Sequence, residues 1–232
     1  MVAGETRGMM RDIFQPKSQH VINIACLHTA ASNIAIFDDA ARQLELNHLQ
    51  LSHLVMPHLL AEAEASGGLT AGLHERLVAL LRDLQPHFDV ILITCSTLGP
   101  VSEAFTSSRQ PCAVWRTDGM LAKAVHQSAK KTVVLCAAES TLGATRALFC
   151  TDGQTPEIRL IPEAWQRFKA GDGAGYFHCV RTAVEHAWQQ GAERVVLAQS
   201  SMAPVAQQFP PERQPLSGPH LALLQCHQQA NR

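Results

Sequence analysis

One stretch of this chain repeats itself in a way that leaves few folds open. Ile91–Val101 lies over Val195–Val205 without gaps, at an offset of 104 residues that sets Cys95 against Gln199. Apolar positions match apolar positions, and Ser96, Pro100 and Val101 recur as Ser200, Pro204 and Val205. The same register carries Arg109-Gln110-Pro111 onto Arg213-Gln214-Pro215. Buried strands share a composition, but composition alone does not produce two matches in one register, so the chain reads as a duplicated lobe. A weaker echo sets Asn23–Cys26 over Val133–Cys136 at a slightly different offset, which a short insertion would explain.

Each half alternates two periods. Val21–Cys26, Leu51–Val55, Val90–Thr94, Thr132–Ala137, Glu157–Ile161 and Arg194–Ala198 read as strands. Most are apolar without interruption, as strands are when both faces of a parallel sheet are covered. Between them Ile34, Phe37, Ala41 and Leu44 recur at helical spacing, as do Leu69, Leu73, Leu77, Leu80 and Leu84, and later Val180, Ala183, Ala187 and Trp188. The expectation is an α/β protein of two pseudo-symmetric Rossmann-like lobes, each a parallel sheet of about four strands flanked by helices, with the active-site cleft between them. Residues 19–113 with 214–232 are expected to form one lobe and 114–213 the other, after an aperiodic N-terminal arm, 1–18. A chain of 232 residues can bury roughly 70% of its unfolded surface and needs no staples.

Charge narrows the partners. Nineteen Lys and Arg against twenty Asp and Glu leave no electrostatic footprint for nucleic acid or an anionic membrane, so a small molecule is expected. No stretch approaches the ~20 apolar residues that span a bilayer. Seven cysteines without a small-domain spacing pattern read as reduced thiols, which places the protein in the cytoplasm. The twelve histidines are scattered, with no Cys-x-x-Cys or His-Glu-x-x-His spacing, and no metal site is expected. A homodimer is the default assembly.

Chemistry concentrates at strand ends, where open α/β sheets bind ligands. Cys95-Ser96-Thr97 stands where an apolar strand gives way to a helix. Backbone N–H groups there, with the Ser96 and Thr97 hydroxyls, could hold a carboxylate and activate the thiol, although a buried strand-end cysteine is also a common packing residue. Gln199, Ser200 and Ser201 occupy the equivalent place by the repeat register. Thr29, Ser32 and Asn33 follow the first strand and could either cap a helix or donate to a substrate carboxylate. Thr141 follows the first strand of the other lobe in the same way, and His28 is either a cleft group or a satisfied structural histidine. Gly171–Gly175 lacks the ending of a phosphate loop and reads as a hinge or a helix start, while Trp115 and Trp165 read as core or interface aromatics.

Cys95-Ser96-Thr97, Leu197–Met202, Ala138–Leu142 and His28–Asn33, taken in this order, resemble the Asp/Glu/hydantoin racemase superfamily. That resemblance implies proton transfer at a carbon beside a carboxylate, without pyridoxal phosphate, metal or any other cofactor. Two cysteines would face the α-carbon from opposite sides. Cys95 matches the first, and Gln199 stands where the second belongs. The resemblance therefore implies a racemase or isomerase first, with His178, Glu139 or a water activated by Ser200 completing the relay. A single-cysteine decarboxylase or isomerase of small dicarboxylates, like arylmalonate decarboxylase or maleate isomerase, is the alternative. A binding protein that has kept the cleft and lost the chemistry is another, because amides hold carboxylates well and transfer protons poorly. A dinucleotide reductase is disfavoured, since Cys26-Leu27-His28-Thr29-Ala30 replaces a Gly-x-Gly-x-x-Gly turn.

Overall fold

The structure, a computed structural model, describes residues 21–106 and 112–230, of which the last two carry no described side chain. The expected arm at 1–18 and the Arg109–Pro111 part of the repeat lie outside these residues. In chain order the elements are β1 (Ile22–His28), α1 (Asn33–Gln43), β2 (Leu49–Val55), α2 (Pro57–Ala65), α3 (Ala71–Leu84), β3 (Val90–Ile93) and β4 (Ala113–Arg116). There follow α4 (Thr117–His126), β5 (Thr132–Cys136), α5 (Leu142–Phe149), β6 (Glu157–Leu160), α6 (Ala164–Lys169), α7 (Gly173–Gln189), β7 (Arg194–Leu197), α8 (Ala203–Ala206), β8 (Leu216–Ser217) and α9 (Gly218–Ala230). The strands form two four-stranded sheets of orders β2-β1-β3-β4 and β6-β5-β7-β8, with every pairing parallel. The two four-stranded parallel sheets are as the sequence predicts, but β4 carries residues 114–116 into the first sheet and β8 carries 216–217 into the second, so the expected lobe boundaries at 113/114 and 213/214 do not hold for these strands.

Continuous apolarity has the expected cause. On β1, Ala25 and Leu27 join the core under α2 and α3, while Ile24 and Cys26 join the core on the opposite face with α1 and α9. On β7, Val195 and Leu197 pack toward α7, and Val196 and Ala198 toward α4 and α5. Period-two alternation sends neighbours to opposite faces, and both faces are covered. Fully buried leucines such as Leu73, Leu77 and Leu81 each contribute roughly 1.5–3 kcal/mol.

The two strands absent from the sequence reading, β4 and β8, are both sheet edges. The first has four residues and carries Arg116; the second has two. The two residues of β8 are too few to display a period, and β4, as long as β3 and β7, ends in Trp115-Arg116 and lacks their unbroken run of Val, Ile and Leu. Side-chain caps open two helices: Thr70 Oγ1 accepts from Leu73 N at 3.2 Å to start α3, and Asp172 Oδ1 accepts from Gly175 N at 2.8 Å to start α7. Gly171–Gly175 is therefore a helix start. Gly99, just past β3, has a packing reason to lack a side chain, because a Cβ there would lie 2.7 Å from Arg116 Nε. Arg116 cannot retreat freely, since it is buried and paired with Asp118 through contacts of 2.7 and 2.9 Å. No helix among the described residues is long and apolar enough to cross a membrane.

Candidate active site

The strand ends of the two lobes meet through a reciprocal pair of hydrogen bonds. Ser96 Oγ donates to Ala198 O at 3.2 Å, and Ser200 Oγ donates to Thr94 O at 3.3 Å. Each serine crosses to the carbonyl that its counterpart's lobe offers at the same place, as a local twofold requires. Further equivalences obey the same relation. Leu98 N bonds Cys95 O at 3.1 Å, and Met202 N bonds Gln199 O at 3.1 Å. Asn33 N bonds Ala30 O, and Thr141 N bonds Ala138 O, both at 3.1 Å. Leu27 O accepts from Thr94 N as Leu135 O accepts from Ala198 N. Leu27 therefore corresponds to Leu135, which displaces the weaker sequence echo by two residues.

Around the symmetry axis, Thr29, Asn33, Ser96, Thr97, Thr141, Gln199, Ser200 and Ser201 line one cavity with Cys95. All are buried, and Cys95 is 9% exposed. Burial pushes the Cys95 thiol up from its ordinary value, opposed by hydrogen bonds from the Thr29 hydroxyl, the Leu98 and Thr97 N–H groups and the Thr97 hydroxyl. This sulfur is a neutral thiol at neutral pH, set among donors that would favour the thiolate once formed. Thr97 Oγ1 and Asn33 Oδ1 are buried with no nitrogen or oxygen partner.

The opposite strand end is arranged differently. Gln199 Oε1 accepts from Ala137 N at 2.7 Å, and Gln199 Nε2 donates to Thr141 Oγ1 at 2.6 Å. Thr141 Oγ1 in turn donates to Ala138 O at 2.7 Å, and Ser201 Oγ is bonded to Tyr176 Oη at 2.8 Å. The amide orientation follows from the chemistry, since a backbone N–H can only donate. Gln199 clamps the end of β7 to the turn after β5.

Ser32, His178 and Glu139 do not join this cavity. Ser32 precedes α1, is exposed and makes no side-chain cap bond. His178 is exposed on α7 and lines a separate groove with Cys179 and His186; Glu139 is exposed as well. His28 points away from the cavity, with Nδ1 2.8 Å from Thr94 Oγ1 and Nε2 2.9 Å from His53 Nδ1. Desolvation, with His53 adding to it, lowers its pKa to about 4 and keeps the ring neutral.

Other lining residues were not read as site residues from sequence, and Trp165 was read only as a core or interface aromatic. Leu60 of α2 and Trp165 and Phe168 of α6 close the cavity, with the two rings stacked at 4.8 Å and 8°. Trp165 Nε1 donates to Glu64 Oε1 at 2.6 Å, fastening α6 to α2 across the lobes. Their three-residue spacing on one short helix was the available signal. The cavity is about 40 Å³, room for a few waters. Trp165 also borders a groove of about 540 Å³ that includes Glu139, Ser140 and Lys169, so its ring is a wall between the two spaces.

No protein-family description matches this sequence, and no curated protein matches it. Solved structures do. Aspartate racemase from Picrophilus torridus superposes with a TM-score of 0.64 at 12% identity, covering 91% of this chain and 94% of that one. Allantoin racemase from Pseudomonas fluorescens gives 0.60 at 14%, covering 90% and 91%. A mutant of arylmalonate decarboxylase gives 0.56 at 13%, covering 90% and 93%. The likeness is one of fold, and the fold is that of the Asp/Glu racemases and their relatives.

Proposed function

We propose that this chain is a cofactor-independent enzyme of the Asp/Glu/hydantoin racemase superfamily in which Cys95 transfers a proton on one face of a carbon bonded to a carboxylate. The observation that carries this reading is that Cys95 is the only titratable side chain among the described residues lining the cavity. The opposite face presents Gln199, whose two polar ends are already bonded within the protein.

A thiol held protonated by burial suits an acid better than a resting base. With a substituted malonate, the bond to one carboxylate breaks and carbon dioxide leaves, while the electron pair stays on the α-carbon as an enediolate. The Cys95 proton then bonds that carbon. The resulting thiolate is held by the Thr29 hydroxyl and the Thr97 and Leu98 N–H groups until water reprotonates it. The Asn33 side chain lines the cavity, and its amide nitrogen is the donor suited to the remaining carboxylate. A dicarboxylate exceeds a 40 Å³ space, so admission requires the Trp165 and Phe168 rings to move.

Racemisation is the second reading, favoured by the twofold arrangement that sets Ser200 and Ser201 opposite Cys95. It requires a proton carrier on that side, and a water held by Ser200 would serve. Incubation with substituted malonates, hydantoins and α-amino acids in deuterated water tests both readings. Carbon dioxide release or α-deuteration that disappears in Cys95→Ala supports the proposal. Carboxylate binding with neither reaction across the panel would make the protein a binding module instead.

A further inference from the structure

A second cluster of chemistry-bearing side chains lies on the face of the first sheet under α1 and α9, apart from the cavity. Cys26 and His28 are two residues apart on β1 and so share a face; His53 is the residue paired with Cys26 across the β1–β2 ladder. One donor atom from each lies within 4.8 Å of the other two. Cys26 and His28 are fully buried, while the His53 side chain is 13% exposed toward Asp38.

The hydrogen-bond directions around this cluster do not close by themselves. Thr94 Oγ1 donates to Leu27 O at 3.0 Å and so accepts from His28 Nδ1–H at 2.8 Å, which leaves a lone pair on His28 Nε2. His53 Nε2 faces the Asp38 carboxylate at 3.1 Å, an acceptor, and so carries its hydrogen there. In a neutral His53 ring, Nδ1 then also presents a lone pair, aimed at the lone pair of His28 across 2.9 Å. Two acceptors at that distance are joined either by a proton on one ring or by a metal ion between them. Outer nitrogens bonded to a hydroxyl and a carboxylate, with inner nitrogens turned toward a thiol, are how metal-binding imidazoles are oriented.

We propose that Cys26, His28 and His53 bind a borderline transition-metal ion such as Zn²⁺, with Asp38 on the solvent side of the site. Two imidazoles and a thiolate suit such an ion, not Mg²⁺ or Ca²⁺. Binding converts the Cys26 thiol to a metal-bound thiolate and releases one proton; nothing is oxidised or reduced. Bonds of about 2.0–2.1 Å set tetrahedral nitrogen ligands about 3.4 Å apart, so the imidazoles need to separate by only a few tenths of an ångström. Thr94 links the site to Cys95, its neighbour in the chain. The sequence has no metal-binding spacing because the ladder register, not chain order, assembles the ligands.

The test uses the full chain, stripped with a chelator and titrated with Zn²⁺ by calorimetry and with Co²⁺ by absorption. One equivalent should bind with submicromolar affinity, with a thiolate-to-cobalt charge-transfer band. Cys26→Ala should remove the band, and the partly exposed His53→Gln, which least disturbs folding, should weaken Zn²⁺ at least tenfold. Cys95→Ala should leave both unchanged, which separates this site from the cavity thiol. Absence of stoichiometric binding, or binding and a band that survive both Cys26→Ala and His53→Gln, would overturn the proposal; the imidazoles would then share a proton.

Discussion

The ends of β3 and β7 are the same piece of structure built twice, and they differ in what they leave unfinished. On the β7 side the polar side chains that line the cavity are all bonded within the protein: Gln199 to Ala137 and Thr141, Thr141 to Ala138, Ser200 to Thr94 and Ser201 to Tyr176. On the β3 side Asn33 Oδ1 and Thr97 Oγ1 have no nitrogen or oxygen partner, and Cys95 sits among donors. Asn33 and Thr141 are equivalent by their turn hydrogen bonds, as Thr97 and Ser201 are by the 104-residue register. The contrast is therefore between matched positions. One strand end is fastened to its neighbouring turn, and the other keeps polar oxygens without a nitrogen or oxygen partner at the cavity.

Removing each side separately is the strongest way to break this contrast. Cys95→Ala should lower turnover by about 10³-fold on any substrate the enzyme accepts, with little change in unfolding midpoint, because the loss is one of proton transfer. Gln199→Ala should do the reverse. It strands the Ala137 N–H and Thr141 hydroxyl in a buried site, and should cost about 2 kcal/mol in urea denaturation while turnover falls less than tenfold. Equal losses of turnover in the two variants, with both folded, would mean that Gln199 takes part in the chemistry.

Access offers a smaller effect. Trp165→Ala removes the wall between the cavity and the outer groove and the bond to Glu64, so alkylation of Cys95 at fixed pH should speed up several-fold. Labelling of Cys179, on α7 and outside the cavity, should not change. The smallest expected effect is one of pH. Burial raises the Cys95 pKa, so its thiolate fraction is low at neutral pH and its labelling rate should keep climbing above the ordinary thiol value of 9.0. A plateau near pH 7, read by mass-spectrometric mapping, would show a thiolate already formed and would favour a base over an acid.

Much of this was legible in the sequence because it depends on local pattern. Six strands showed in the sequence, most as apolar runs, and the 104-residue register set Cys95 and Gln199 at matching strand ends. The edges β4 and β8 were not legible, β8 because it has two residues and β4 because it ends in Trp115-Arg116 instead of continuing an aliphatic run. Nor was the Gln199 clamp, since its partners lie 58 and 62 residues away and are brought close only by the β5–β7 pairing. His178 illustrates the converse: a plausible proton carrier by residue type, it lies on the exposed side of α7, away from the cavity. Residue type proposes chemistry, and the helix face decides where it can act.

The sharpest discrimination comes from the stereochemical course of turnover in deuterated water, read by chiral separation and mass spectrometry. A single proton donor on the β3 side predicts deuterium at the α-carbon of one enantiomer alone. Deuterium arriving at comparable rates in both enantiomers would mean that protons reach the carbon from the Gln199 side as well, and one-faced transfer by Cys95 would have to be abandoned.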